Sequence, residues 1–296
     1  MSYHLIIGDY AYSSWSLRGW LLFERFGLVR NETLITFRDE PVANQLADFF
    51  PAKTVPTLIT PEGAVIGESL AMAEELATRH PEACLWPTDP KARSIARALA
   101  SEMHAGFGAL RDFCPMNLRV AYKDVPVSDD VSRDLRRLEA IWEHARNATD
   151  PDGPWLCGDY SIADVFFAPV ATRIATYGLE VSERARAYVN AHLNDPAFRR
   201  WRALGLATGP DLPWYARDYP QTAWPGPQTI PAQAIEVGAS LNETCPYSGK
   251  AVQFLLELDG KVFGFCNATC RDKTVADPAV WPAFTEMAGL TPAEVA

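Results

Sequence analysis

The sequence predicts an α/β domain, then an all-helical bundle, then a small α+β module that carries cysteines. Three observations lead there. In residues 3–79 short β-rich runs alternate with helical periodicity; from about 90 to 205 apolar residues recur at steps of three and four; and beyond a Pro/Gly-rich stretch three cysteines gather around a hairpin signal. At 296 residues the chain exceeds the ~100–200 residues usual for one domain, and 48% hydrophobic against 22% charged residues is an ordinary globular balance.

Tyr3 to Ile7 is a short apolar run of strand formers, followed by a polar loop and by Trp15 to Phe26, where Leu17, Leu21 and Leu22 fall at helical spacing. Glu32 to Phe37 reads as a second strand and Pro41 to Phe49 as a short helix. Thr57 to Thr60 and Ala64 to Ile66 pair around Pro61-Glu62-Gly63, and Glu68 to Arg79 closes the unit as a helix. The order βαβαββα implies helices on a small mixed sheet. After the break from His80 to Pro90, the pair Asp89-Pro90 opens a long helix whose apolar face is Ile95, Leu99, Met103, Phe107, Leu110 and Cys114. Val131, Leu135, Leu138 and Ile141 mark the next helix. Ser161 to Asp164 has the form of a capping box with Tyr160 and Val165 as its staple, and Asp195-Pro196 opens a last short helix ending near Gly205. From Gly209 to Pro231 there are eight prolines or glycines, interspersed with Trp214, Tyr215, Tyr219 and Trp224, which reads as an extended linker pinned by its aromatics. The boundaries that follow are 1–82, 89–208, a linker 209–240, and a module 241–296.

A formal charge of −10 and a pI near 5.0 argue against binding the phosphate backbone of nucleic acid, which needs clustered Lys and Arg. The first residues show no export signal and no run approaches ~18 apolar residues, so neither export nor a membrane span is expected. Six cysteines in that setting read as reduced thiols or metal ligands, and the cytoplasm is the expected compartment.

Chemistry concentrates first in Tyr12-Ser13-Ser14-Trp15-Ser16-Leu17-Arg18, between the first strand and the first helix. Serine hydroxyls there meet the unpaired N–H groups and partial positive charge of a helix N-terminus, which favour a bound anion or thiolate, although a serine at that place also serves as a plain cap. Some forty residues on stands Val55-Pro56-Thr57-Leu58, followed by Gly67-Glu68-Ser69-Leu70-Ala71. A cis proline before a strand turns the preceding residue's backbone outward, where it can pair with a peptide. At the next helix start Ser69 can take a ligand carboxylate while Glu68 accepts from an ammonium, so the pair suits the two ends of an amino-acid group.

Together these residues resemble the glutathione transferase superfamily, and its serine-type, zeta-like members in particular, over roughly residues 3 to 205. The resemblance implies a thioredoxin-like first domain with a cis Val55-Pro56 bond, glutathione held by Val55, Pro56, Glu68 and Ser69 with Trp15 beside it, and an active serine mapping to Ser13, with Ser14 adjacent. Trp15 stands where the zeta motif has cysteine, which weakens the case for maleylacetoacetate isomerase, the zeta activity, more than that for glutathione binding. The implied mechanism is activation of the glutathione thiol for attack on, or isomerisation or reduction of, a small electrophile, in a homodimer. The competing reading is a non-catalytic binding or metal-responsive regulatory protein on the same fold. His104 reads as a packed or surface histidine, Arg111 as part of a surface ion pair, and Cys84, Cys114 and Cys157 as buried small hydrophobes.

In the last module Cys245 lies in a turn-rich knuckle, and Cys266 and Cys270 stand one helical turn apart. Asp259-Gly260 marks a hairpin that can bring Cys245 back to that pair. The C-x20-C-x3-C layout, with Gly260 to Cys266 and Asp277-Pro278, resembles the treble-clef modules called TRASH or YHS, and implies a metal site, with Zn2+ the expected ion. No histidine follows His192, so a fourth ligand must be Asp272, Asp277, water or a partner's group.

Overall fold

The unbroken apolar run Tyr3–Ile7 (β1) is the centre of a four-stranded sheet, with Leu5, Ile6 and Ile7 fully buried because both faces are covered. It pairs in parallel with Arg30–Leu34 (β2) and antiparallel with Thr57–Ile59 (β3), which pairs with Val65–Ile66 (β4), giving the order β2-β1-β3-β4. Ser14–Glu24 (α1) and Ser69–Arg79 (α3) pack together beside the sheet, while Ile6, Ile35 and Leu46 form a cluster with Val42–Gln45 (α2) and the 3-10 turn Ala47–Phe49. The second strand starts two residues earlier than Glu32 because β1 sets the register from Tyr3↔Arg30 to Ile7↔Leu34. On this edge the side chains are mostly exposed, so the apolar alternation that marks a half-buried strand is absent. The computed structural model describes residues 2–290, which fall into two units: 2–193 with 211–226, and 194–210 with 227–290. The last six residues of the predicted module lie outside the described residues.

The helical part of the first unit holds Pro90–Ala105 (α4), Gly108–Phe113 (α5), Asp129–Thr149 (α6), Ile162–Thr176 (α7) and Glu183–Asn194 (α8). The helix expected to run from Pro90 to Cys114 is broken: Gly106 is extended, Phe107 is left-handed at φ 57°, and a side chain at Gly106 would place its Cβ 2.8 Å from the Glu102 carbonyl oxygen. Phe107 and Leu110 are buried all the same, and Asp134 of α6 accepts the Leu110 N–H at 2.9 Å to hold the new helix start. The expected capping box forms at α7, where Asp164 accepts from the Ser161 N–H (2.9 Å), the Ser161 hydroxyl (3.2 Å), the Leu156 N–H (3.2 Å) and the Tyr188 hydroxyl (2.9 Å). Residues 211–226 are less of a linker than their composition suggests. Ala121–Tyr122 (β5) pairs with Gln221–Thr222 (β6), the Leu212 N–H donates to the Tyr12 hydroxyl at 3.2 Å, and Tyr215 packs on Tyr12 with ring centroids 4.9 Å apart.

The second unit is built on a three-stranded antiparallel sheet of Gln233–Ile235 (β7), Phe254–Leu258 (β8) and Lys261–Phe265 (β9). Asp259 and Gly260 turn the expected hairpin with φ of 50° and 71°, the positive values a two-residue loop of this kind requires. Pro196–Ala207 (α9), which by sequence closes the helical bundle, packs here against Ala268–Ala276 (α10), beside Pro282–Ala288 (α11). Arg199 and Asp277 clamp this arrangement with two buried charge-assisted bonds of 2.8 and 3.0 Å. No described helix is long and apolar enough to cross a membrane.

His192 shows how tightly the first unit is closed. It is 1% exposed, sits among Trp155, Tyr160 and Tyr188, leaves Nε2 unpartnered, and burial followed by the charge of Arg25 pulls its pKa down to about 3. In the unfolded chain it titrates near ~6.5, so between those values the unfolded state binds more protons and stability is lost as pH falls. The unfolding free energy from urea titrations measured from pH 7.5 downwards should therefore drop more steeply in the wild type than in His192→Phe, by at most roughly 1.4 kcal/mol per pH unit. Parallel curves for the two proteins would contradict this.

Candidate functional site

The loop after β1 is fixed by a relay of hydroxyls. Ser13 caps α1: its Oγ accepts the Ser16 N–H at 3.2 Å and donates to Ser16 Oγ at 2.7 Å, which in turn accepts the Gly8 N–H at 2.9 Å. The Ser13 hydroxyl proton is thereby directed into the protein. Ser14, the first residue of α1, is half-buried, and its Oγ accepts from Nη2 of Arg173 at 3.2 Å. Both serines line a cavity of about 520 Å³ in the first unit, and Trp15, Val55, Pro56, Glu68 and Ser69 line it too, so residues from two separated sequence motifs meet in one place.

The Val55-Pro56 peptide is cis, as the resemblance implies. Its proline lies hard against α1 at Gly19, where a Cβ would come within 2.8 Å of the ring, so only glycine lets the helix approach this closely. Ser69, 1% exposed, begins α3, and its Oγ is buried without a hydrogen-bond partner among the described residues although it lines the cavity. An orphaned buried hydroxyl at a helix start is what an anionic ligand group would complete. Glu68 precedes it, largely exposed, with its carboxylate 3.6 Å from Nε2 of His104. His104 is part-buried and stacks edge-on with Trp15, and burial, helped by the charge of Arg18, lowers its pKa.

Positive charge dominates the cavity. Among the described residues that line it, Glu68 is the one carboxylate, against Lys53, Arg111 and Arg173. Among the described residues Arg111 has no ion-pair partner, against the surface ion pair expected from sequence. Its Nη1 donates to the carbonyls of His104 (3.5 Å) and Gly106 (3.3 Å), made available by the break before α5, and its guanidinium lies 4.9 Å from the Trp15 ring. Arg18 is buried between Trp15 and Phe166, 4.5 and 4.9 Å from their ring centroids, and burial together with Arg173 and Arg111 drives its pKa well down. Among the described residues none of these three arginines has a carboxylate partner. Sequence reasoning missed Arg173, Lys53 and Tyr215 as cavity residues. The signal for Arg173 was a charge inside the apolar run Phe166 to Ala175, where solvated arginine is out of place.

In the second unit the Sγ atoms of Cys245, Cys266 and Cys270 lie within 4.8 Å of one another. Cys266 accepts from the Ser248 hydroxyl at 3.1 Å and from Asn267 Nδ2 at 3.4 Å. Burial raises the pKa of the Cys245 thiol, but backbone N–H groups from Cys266, Tyr247 and Ser248 outweigh it, for a net fall to about 7, whereas burial and the neighbouring Cys245 raise Cys270 to about 12. The two carboxylates considered as further ligands are engaged elsewhere: Asp277 with Arg199 at 2.8 Å and Asp272 with Arg271 at 2.8 Å. Cys114 and Cys157 are buried as expected, and burial raises both thiols to about 12; Cys84 is exposed, because it ends a 3-10 turn in the surface connection before α4.

A mixed sheet with a cis proline at its centre, joined to a helical bundle across a cationic cavity, defines the fold as that of the glutathione transferases. Residues 12–79 match the family described as glutathione S-transferase, N-terminal domain. The chain is 37% identical over 148 residues to a probable maleylacetoacetate isomerase of Caenorhabditis elegans, spanning 48% of this chain and 66% of that protein. With maleylacetoacetate isomerase of Rattus norvegicus it shares 28% over 134 residues, 45% of this chain and 59% of the relative. It thus spans less than two thirds of either relative. A glutathione transferase homolog from Burkholderia gl BGR1, solved with bound glutathione, superposes with a TM-score of 0.53 at 20% identity, covering 69% of this chain and 98% of that one, a likeness in fold.

Proposed function

We propose that this protein is a glutathione-dependent transferase or isomerase. The observation that carries this is the convergence of the loop before α1, the cis Val55-Pro56 turn and the start of α3 on one cavity, with the Ser69 hydroxyl unpartnered in it. In this reading Val55 pairs with the tripeptide backbone, Ser69 takes the glutamyl carboxylate and Glu68 its ammonium. Ser14 rather than Ser13 faces the thiol, because the Ser13 proton is already directed to Ser16 while the Ser14 oxygen accepts from Arg173 and keeps its own proton to donate. A free thiol near pKa ~8.5 is a few per cent ionised at about pH 7, and each unit of lowering requires about 1.4 kcal/mol of preference for the thiolate. A hydroxyl donor, a helix N-terminus and unpaired guanidinium charge are of that order.

The excess of cations beside Trp15 favours an electrophile that is itself a carboxylate, held by Arg111. Isomerisation of such an acid is the reaction this charge pattern supports best, in line with the names probable maleylacetoacetate isomerase and maleylacetoacetate isomerase of the worm and rat relatives, Trp15 in place of the zeta cysteine notwithstanding. We further infer that Cys245, Cys266 and Cys270 hold one Zn2+ as thiolates, a donor set that suits this ion, in a TRASH/YHS-like module. The assembly is a homodimer by family resemblance, and six unpaired thiols suit the reducing cytoplasm.

Ser14→Ala should lower kcat with glutathione by roughly ten- to a hundredfold while leaving its affinity within a few-fold. Ser13→Ala should chiefly cost about 1 kcal/mol of stability through the lost cap. In the same assays Arg111→Met should raise KM for acidic electrophiles and spare neutral ones; the reverse serine result would return the role to Ser13, and calorimetry without glutathione binding would end the reading. Elemental analysis should find near one zinc per chain, lost in Cys266→Ser and Cys270→Ser and retained in Cys84→Ser. Light scattering should give twice the 32.7 kDa chain mass.

A further inference from the structure

α7 is buried along its whole length, yet it carries one guanidinium, that of Arg173, only 5% exposed. Its planar fork is held at three points. Nε donates to the Cys114 carbonyl at 2.8 Å, Nη1 to the Pro169 carbonyl at 3.2 Å, and Nη2 to Ser14 Oγ at 3.2 Å. Two backbone carbonyls therefore fix the plane and aim the third nitrogen at the serine. No carboxylate among the described residues neutralises it, and burial with the nearby charge of Arg111 lowers its pKa only to about 10, so it remains a cation at neutral pH. Burying an unpaired charge is costly, and two neutral carbonyls offset only part of that cost.

We propose that Arg173 is a positioning residue for thiol activation: it orients and polarises the Ser14 hydroxyl so that its proton is donated to the glutathione sulfur. The inference rests on the glutathione reading above. Geometry gives the mechanism. Nη2 occupies one lone pair of Oγ, which leaves the hydroxyl proton free to turn towards the cavity that Ser14 lines. A hydroxyl that accepts from a cation is a stronger donor than one that accepts from a neutral group, and the guanidinium charge one hydroxyl away also favours the anionic form of the sulfur. The Ser13 hydroxyl, bonded among the described residues to Ser16, receives no such support. The proton released from the thiol passes to solvent, and no group on the protein changes its charge.

The thiol of bound glutathione can be titrated through the ultraviolet absorbance of its thiolate, with S-methylglutathione, which cannot ionise, as the measure of affinity alone. Arg173→Gln should raise the thiol midpoint by about one unit, a ~10-fold loss of thiolate at neutral pH, while S-methylglutathione binds within about threefold of the wild type. Arg173→Lys should restore much of the shift, and in a Ser14→Ala background the Arg173→Gln shift should shrink to less than half. A folded Arg173→Gln protein that binds S-methylglutathione and titrates like the wild type would overturn the inference while leaving the glutathione reading intact. If Arg173→Gln does not fold, Arg173→Lys decides: a midpoint raised equally with and without the Ser14 hydroxyl counts against positioning. A wild type that binds neither glutathione nor its S-methyl derivative removes both.

Discussion

The site depends on how α1 is tied to β1. Ser13 caps the helix and donates its hydroxyl hydrogen bond to Ser16, and Ser16 accepts the Gly8 N–H at the end of the strand, so the loop from Asp9 to Ser13 has little freedom. With the cap made by Ser13, the next residue is released from local duty, and Ser14 can face the cavity instead of its own backbone. The same helix can sit close enough to the sheet for this to matter only because Gly19 admits the Pro56 ring. Sequence therefore reaches function through one small residue, Gly19, whose role is steric and through one hydroxyl, that of Ser13, whose role is to be occupied.

Around that frame the protein spends stability on charge. Arg18, Arg111 and Arg173 are brought near one another with no carboxylate partner among the described residues; burial lowers the pKa of Arg18 and of Arg173, and the charge of Arg111 lowers both further. Aromatic faces and backbone carbonyls offset part of this: Trp15 is approached by Arg18 and by Arg111, and Phe166 by Arg18. A cation–π contact is worth about 0.5 to 2 kcal/mol, less than the several kcal/mol of burying a charge. The remainder is a standing preference for anions in the cavity. Trp15 takes on a structural meaning here: a cysteine in its place could not present a ring to two guanidiniums.

Much of this was legible in the sequence, and what was not has identifiable causes. Strand and helix order follow from periodicity, and the helix-start and proline-turn signatures pick out residues from Ser13 to Ser69 that line one cavity. The break at Gly106-Phe107 was hidden because Phe107, Leu110 and Cys114 stay buried on either side of it and so preserve the apolar spacing of one continuous helix. That break frees the carbonyls that hold Arg111, which is why its place in the cavity was also missed. Tyr215 was hidden in a segment whose Pro and Gly content reads as linker. Composition reports the absence of regular structure there, but not the pairing of Gln221–Thr222 with Ala121–Tyr122 that anchors it.

The second unit poses the same question of what a charged residue is for. Arg199 and Asp277 are each about 8% exposed and bonded through two nitrogens and two oxygens, which ties α9 to the end of α10. Removing one partner of such a pair costs about 3–5 kcal/mol, because the other charge stays buried and alone. Asp277 is thus held in the scaffold by an interaction that moving it to a metal would break, and Asp272 is turned to Arg271. On the zinc reading, no carboxylate joins the three thiols among the described residues, and the fourth position would fall to a group outside them. Structural zinc sites are closed by four protein ligands, whereas an open position allows exchange. The ion pair that builds the module would therefore also withhold its carboxylate from a metal at the three thiols.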